Sequence, residues 1–397
     1  MEPRGYETRL DEGLLSLVPQ DLSVVRSRSW SPARTRRFGI GDLGLRSLTG
    51  LGRAASALLA SRTFDAVYVT TYPIYPALLG PYLKRRFSVP FVLDLQDPWV
   101  GSWGKSVGPG ARDRADLKSR CSRAAAWALE LWIAPRADAI TAVSRGTFDE
   151  LATRHPDVGG TPFLELPIGA DAADVSAAAA DGVNRCFVPS DGVIHICSVG
   201  TILPRGAAVL EAVLRALGSV RTRRPDVFGR LRLHFVGTSN QTDPGAPPRV
   251  RPIAERLGVA ASIDETPPRV DYLDALAIQR DADVLLLLGS DEPHYTASKV
   301  YPALMVARPI IAVYHSASPV IDALRRVGPV PPISIVSFDE RGITEAHQDQ
   351  IAAAIIAAAD HPAASNGHPS DRLGADAAPR LAARFAAFLE SLCPPSA

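Results

Sequence analysis

Short apolar runs, bounded by Gly, Pro, Asp or Ser, recur along this chain and alternate with longer Ala/Leu/Arg-rich stretches. In the first half the runs are DLSVVRS (21–27), FDAVYVTT (64–71), PFVLDLQD (90–97) and ADAITAVS (137–144). In the second half they are VIHICSVG (193–200), LRLHFVG (231–237), ASIDET (261–266), DVLLLLG (283–289), PIIAVY (309–314) and PISIVS (332–337). Each reads as a strand. Most are nearly continuous in apolar residues rather than alternating, which predicts strands covered on both faces and hence parallel sheets. The intervening stretches, 43–61, 74–87 and 114–134 among them, read as helices. Strand–helix alternation in both halves predicts two doubly wound α/β domains.

The Ala-rich stretch 171–185 has no strand pattern and separates the two sets of strands. The expected organisation is a first domain over 1–172, a linker over 173–190 and a second domain over 191–372. A C-terminal helix and tail follow over 373–397. A loose stretch, 361–379, precedes the amphipathic run RLAARFAAFLESL at 380–392. No short-period repeat is visible.

The chain has 397 residues, enough for two domains. Its formal net charge of +1 gives no global signal for nucleic acid. The charge is unevenly placed: up to Ala170 there are 22 basic and 17 acidic residues, and after it 21 and 25. The basic excess gathers in 26–38 and 82–87. Such runs either rest on anionic lipid headgroups or form a solvated face. The four cysteines, Cys121, Cys186, Cys197 and Cys393, show neither zinc spacing nor a disulfide framework. The N-terminus is polar and unlike a signal peptide, and no run approaches the roughly 20 apolar residues of a membrane-spanning helix. The reading is a cytoplasmic protein, at most peripheral on the inner face of the membrane.

Candidate chemistry lies where strands end. The stretch HYTASKVYPALMVARPIIAVY (294–314) follows a buried strand and brings His294, Ser298, Lys299 and Val300 to a loop and helix start. Ligands of α/β sheets bind beyond the carboxyl ends of strands, and a helix N-terminus favours anions. A phosphate-bearing ligand is expected there. Gly200 and Thr201 end another strand, and Pro204-Arg205-Gly206 precede a helix. This loop suits a diphosphate, or is an ordinary turn with a surface arginine. It lacks the glycine fingerprint of nicotinamide cofactors. Arg269 and Val270 occupy a Pro-stiffened turn that faces a ligand or merely packs. Asp94, Gln96 and Asp97 end a strand in the first half, a place suited to hydroxyl binding or proton transfer. Asp97 could equally cap the next segment, and the aromatic–glycine stretch 99–103 could hold a sugar or simply bury its tryptophans. No nucleophile triad, HExxH or phosphate-loop motif is present.

Taken in order, these pieces resemble the group 1, family 4-like retaining glycosyltransferases of the GT-B fold. RADAITAVSRGTFDEL (136–151) resembles that family's segment before the linker, and PIGADAAD (167–174) its following turn, with Ile168 where Asn is usual. SVGTILPRG (198–206) resembles its phosphate loop, with Thr201 replacing an arginine. HYTASKVYPALMVARPIIA (294–312) resembles its donor-site segment. The resemblance implies two Rossmann-like domains facing a cleft and transfer of a hexosyl group from a nucleotide diphosphate-sugar with retention of configuration. It implies no metal and no cofactor beyond that co-substrate. The acceptor would be a polysaccharide or glycolipid precursor of the cell envelope. Arg205 and Lys299 would hold the diphosphate, with Gly200, Thr201, His294, Ser298 and Val300 around it. Arg269-Val270 would lie near the base, and Gln96-Asp97 would face the reacting sugar.

Three departures stand out. His294 and Pro302 fall where the family has two glutamates. Gln96 replaces a histidine. The family's first strand and glycine-rich loop have no counterpart, so a late start codon is expected. A non-catalytic relative in a polysaccharide assembly, and a nucleotide-sugar epimerase or dehydrogenase, are the alternative readings.

Overall fold

The computed structural model describes residues 10–71, 74–100, 117–292, 298–327, 332–360 and 373–393. The chain forms two compact units. One comprises Gln20–Pro167 together with the chain from Leu381; the other comprises Ile168–Arg380 with Asp11–Pro19.

The first unit is built on four parallel strands, β1 (Val67–Thr70), β2 (Phe91–Leu95), β3 (Ala139–Ala142) and β4 (Phe163–Glu165), in the order β1-β2-β3-β4. Every residue of β2 and β3 is buried, as nearly continuous apolar runs predict; their two polar residues, Asp94 and Thr141, are buried as well. The helices are α1 (Leu43–Ser61), α2 (Leu79–Phe87), α3 (Leu117–Ile133) and α4 (Arg145–Arg154). The Asp42 carboxylate accepts from Leu45 N and starts α1; Ser144 Oγ accepts from Thr147 N and starts α4. Phe91, Leu93, Trp99, Ile133, Ile140 and Phe148 form the core. Helix α2 lies so close to the sheet that a methyl group on Gly80 would sit 2.2 Å from the Phe91 ring.

One expected strand is absent. Residues 21–27 are irregular, and Leu22, Val24 and Val25 are exposed. The backbone that follows is held by α1 rather than by a sheet. Trp30 N donates to the Arg46 carbonyl at 2.9 Å, and Trp30 Nε1 to Thr49 Oγ1 at 2.9 Å. A methyl on Gly50 would fall 2.3 Å from the Arg28 carbonyl oxygen, so glycine permits this approach. Strand β4 escapes the sequence pattern because it has only three residues.

The second unit has six parallel strands, β5 (Ile194–Val199), β6 (Leu231–Val236), β7 (Ile263–Thr266), β8 (Val284–Leu288), β9 (Ile310–His315) and β10 (Ile333–Phe338). Their order is β10-β9-β8-β5-β6-β7, so the winding reverses between β5 and β8. The main helices are α5 (Ala172–Asp181), α6 (Ala207–Arg223), α7 (Tyr272–Asp281), α8 (Val300–Met305), α9 (Pro319–Arg326) and α10 (Glu345–Asp360). One face packs on Val213, Leu217, Ile351 and Ile355 of α6 and α10; the other packs on Leu276, Leu304, Met305 and Ile321 of α7 to α9. Two apolar layers explain why β8 reads as an unbroken leucine run. Within 173–190, α5 packs on α7: Asp171 caps it, and Tyr272 Oη donates to Asp174 Oδ2 at 2.8 Å.

The last helix, α11 (Ala378–Leu392), passes from the second unit into the first. Its Phe385 ring meets Tyr68 of β1 edge-on at 4.9 Å, and Cys393 Sγ donates to the Asp65 carbonyl at 3.0 Å. No helix among the described residues is long and apolar enough to cross a membrane.

One buried polar pair makes the second unit sensitive to acid. His195 Nδ1 and His234 Nε2 lie 2.9 Å apart under the Phe187 ring. Asp191 Oδ1 is 3.1 Å from His195 Nε2, and Asp264 Oδ2 is 3.6 Å from His234 Nδ1. Burial lowers His234 to about 4, opposed by Asp264 and reinforced by His195 and Arg232. A histidine with a depressed folded pKa stabilises fully above its unfolded value, about 6.5. That stability drains as pH falls from there through about 4. His234→Gln keeps a hydrogen-bonding partner for His195 without the titration. It should therefore lose ~2 kcal/mol less stability than the parent between neutral pH and pH ~4.5, read from urea unfolding at both. Equal losses would clear His234 of the effect.

Candidate functional site

In an open α/β sheet the ligand crevice opens where the winding reverses, beyond the carboxyl ends of the two strands concerned. Here those ends are Gly200, after β5, and Gly289, after β8. Gly200 has φ +122°, which side chains with a Cβ rarely adopt, and its N–H donates to the Val236 carbonyl. The chain then turns through Thr201, whose hydroxyl reaches the Ser239 carbonyl at 3.5 Å, and Ile202, whose N–H donates to the Thr238 carbonyl. A single turn at Pro204–Gly206 leads into the 17-residue helix α6, which has no side-chain cap at its start. Gly206 brings that start against the end of β8: a methyl there would lie 3.2 Å from the Gly289 carbonyl oxygen.

Lys299 comes to the same place. A methyl on Gly200 would be in van der Waals contact with Lys299 Cδ, at 3.5 Å. Part of the residue stays open, yet burial alone lowers its ammonium to about 8. Among the described residues its ammonium has no hydrogen-bond or ion-pair partner. A lysine enclosed without a counterion is unfavourable by itself. It becomes favourable once an anion arrives.

Arg205 is engaged differently. Its Nε donates to Asp291 Oδ1 at 2.6 Å and its Nη1 to Glu292 Oε1 at 2.8 Å, while Asp291 N donates to the Arg205 carbonyl. All three side chains keep 28–42% of their surface exposed. Sequence reading did not place the two acids on Arg205, 86 and 87 positions away. Their only signal is adjacency just past a strand end.

The other expected donor-side residues are distributed around this centre. Ser298 is exposed, and its carbonyl accepts from Tyr301 N. Val300 is a core residue, 1% exposed. Helix α8 spans six residues with Lys299 at its cap position, so the cation here is the ammonium rather than the helix end. Arg269 is exposed near Gly237, whose own neighbour is Gly200 N, and Arg269 N donates to the Gln241 carbonyl. Val270 packs on the core behind it. His294 lies outside the described residues.

In the first unit a polar network closes the end of β2. Asp94 is buried; its Oδ1 accepts from Thr141 Oγ1 at 2.7 Å and its Oδ2 from Gln96 Nε2 at 2.6 Å. The Thr141 hydroxyl also meets Tyr68 Oη at 3.3 Å. Burial, then the Asp94 charge, pushes the Tyr68 phenol well above its usual range. The Gln96 amide is thus oriented by Asp94, while Asp97 is exposed beside the buried Trp99. Sequence reading singled out Asp94, Gln96 and Asp97 but did not find Thr141 as the partner that fixes the group.

Known proteins show the same architecture. Residues 4–159 match the model of the glycosyl transferase 4-like domain. No curated protein matches the sequence. Among solved structures, sucrose-phosphate synthase from Thermosynechococcus elongatus is similar, with a TM-score of 0.58 at 15% identity; the match covers 88% of this chain and 79% of that one. The UDP-forming α,α-trehalose-phosphate synthase from Burkholderia vietnamiensis gives 0.57 at 15% identity, covering 91% and 80%. Anabaena HepE in complex with UDP and glucose gives 0.51 at 13% identity, covering 86% and 83%.

Proposed function

We propose that this chain is a family 4-like glycosyltransferase that takes its sugar from a nucleotide diphosphate-sugar; the match of residues 4–159 to the glycosyl transferase 4-like domain and the parallel sheets shared with GT-B structures support this reading. The acceptor we propose is a saccharide or lipid-linked saccharide, with the configuration at the transferred carbon retained. The observation that carries the donor reading is the largely enclosed Lys299 ammonium, without a partner among the described residues, beside Gly200 at the reversal point of the second sheet.

The chemistry asks little beyond charge placement. As the bond from the anomeric carbon to the diphosphate breaks, negative charge grows on the leaving oxygen. In this reading Lys299 and the uncapped N–H groups of α6 stabilise it, joined by Arg205 once the diphosphate displaces Asp291 and Glu292 from its guanidinium. The acceptor oxygen bonds to the same face of the carbon, and its proton passes to the departing phosphate. Such a step needs no protein base, consistent with Gln96, which cannot titrate. Within the first unit, we assign Gln96, whose amide Asp94 fixes, and Asp97 to hydrogen bonding with saccharide hydroxyls. No resident cofactor enters this scheme. HepE binds UDP and the trehalose-phosphate synthase is UDP-forming, which makes UDP the first nucleotide to try.

The test is thermal. A bound nucleotide at 100 times its dissociation constant stabilises by about 2.7 kcal/mol, so UDP, GDP, dTDP or ADP should raise the melting temperature by several degrees. No shift with any of them would end the donor reading. A second reading, a binding subunit without turnover, has an observation in its favour. Pro302 within α8 offers no polar group where the family has an acid, and Asp291 and Glu292 are occupied by Arg205. Nucleotide binding without release of UDP from any UDP-sugar, with or without acceptor extract, would select it.

A further inference from the structure

Between Asp21 and Asp42 the first unit carries five arginines, Arg26, Arg28, Arg34, Arg36 and Arg37, and no acid. All five are exposed, and among the described residues none forms an ion pair. Elsewhere the chain's arginines are commonly paired, as Arg145, Arg154, Arg223 and Arg224 are. Interleaved with the free cations are large apolar side chains left in solvent: Leu22 at 58%, Val24 at 60%, Trp30 at 53% and Phe38 at 82% exposed. The segment is no loose tail. Trp30 is bonded to α1 through its N–H and its indole, Arg46 Nη1 donates to the Trp30 carbonyl at 2.9 Å, and Gly50 seats the Arg28 carbonyl.

We propose that residues 22–40 form a docking surface for an anionic lipid bilayer. The two halves of the pattern select this partner together. Unpaired guanidinium groups recognise lipid phosphates, each arginine being worth roughly fivefold in binding near such a surface. Aliphatic and aromatic side chains gain by entering the headgroup region, which a soluble polyanion does not offer them. The whole chain carries only +1, so attraction acts at short range through this segment. The second basic run is a weaker candidate. Lys84 is tied to Asp138 at 2.7 Å, and Arg86 donates to Tyr82 Oη. The inference stands on the first unit alone and does not rest on the donor site.

The experiment is cosedimentation of the full chain with vesicles of phosphatidylcholine, pure or with about 30 mol% phosphatidylglycerol. The parent should bind the anionic vesicles and not the neutral ones. Arg36→Gln with Arg37→Gln should weaken binding by roughly 20-fold. Val24→Ser with Phe38→Ser should weaken it by roughly 10-fold or more while leaving its salt dependence intact. The nucleotide-induced melting shift, measured on the same samples, reports that each variant is folded, and failure of that shift in the parent leaves the vesicle result readable. Absence of parent binding to anionic vesicles overturns the proposal, as does parent-like binding by both variants. So does a heparin affinity matching that for vesicles together with an unaffected apolar variant, which identifies a polyanion site instead.

Discussion

Lys299→Met should make the empty protein more stable and the nucleotide invisible to it. The methionine keeps most of the stem volume against Gly200 and removes the charge. In the parent, burial lowers the ammonium from 10.5 to about 8. A lysine whose folded pKa lies below its unfolded one destabilises the fold fully at pH below the lower value. The penalty fades as pH rises through the window from about 8 to 10.5, where the folded state has shed its proton and the unfolded chain has not. Each tenfold loss of proton affinity on folding corresponds to about 1.4 kcal/mol. Solvent reaches part of the residue and screens it, which leaves a penalty of ~1–2 kcal/mol at neutral pH. That predicts a melting temperature higher by about 3–6 °C. The advantage should shrink when the comparison is repeated near pH ~9.5. With UDP present the order reverses, because only the parent gains from the ligand. A variant that is stabilised but still responds fully to nucleotide would show that Lys299 is merely a buried lysine.

The second large effect concerns Arg205, and it has two arms of opposite sign. Exposed ion pairs contribute about 0.2–1 kcal/mol each, whereas hydrogen bonds to charged groups contribute about 1.5–3 kcal/mol. A diphosphate can therefore displace the partly exposed Asp291 and Glu292 from the guanidinium. Arg205→Gln removes a forked cation and leaves two acids facing the ligand, so UDP affinity should fall about 30- to 100-fold. Asp291→Asn weakens the resident competitor, and affinity should rise by about 2- to 5-fold. Isothermal titration of UDP into both variants decides. Parent-like affinity in Arg205→Gln makes Arg205 a tether for the 289–292 loop and leaves the diphosphate to Lys299.

Most of the fold was legible because burial on both faces writes itself into sequence: β8 is an unbroken apolar run, β2 and β3 are apolar but for Asp94 and Thr141, and each is a fully buried strand. Residues 21–27 misled for the same reason. Leu22, Val24 and Val25 give the segment the look of a strand, yet all three are exposed, and a run of side chains says nothing about whether a sheet edge waits beside it. The candidate site was legible where a residue acts through its own type and position, as with Lys299 and Gly200 past strand ends. It was illegible where action depends on a partner far along the chain. Nothing in the sequence ties Arg205 to Asp291 and Glu292, or Gln96 through Asp94 to Thr141, because those links exist only once the strands are in register.

Helix α11 starts in one unit and finishes in the other, and its Phe385 rests on Tyr68. The second unit is therefore close to an insertion within the first. During synthesis β1 to β4 emerge early, yet the aromatic cover of β1 is translated more than three hundred residues later. At typical translation rates of about 5–20 residues per second that is a wait of tens of seconds. The early sheet must endure the interval with one face unfinished, while the later one can close as soon as its own strands exist. The strands of the first sheet are thus made first, while part of their cover is made last.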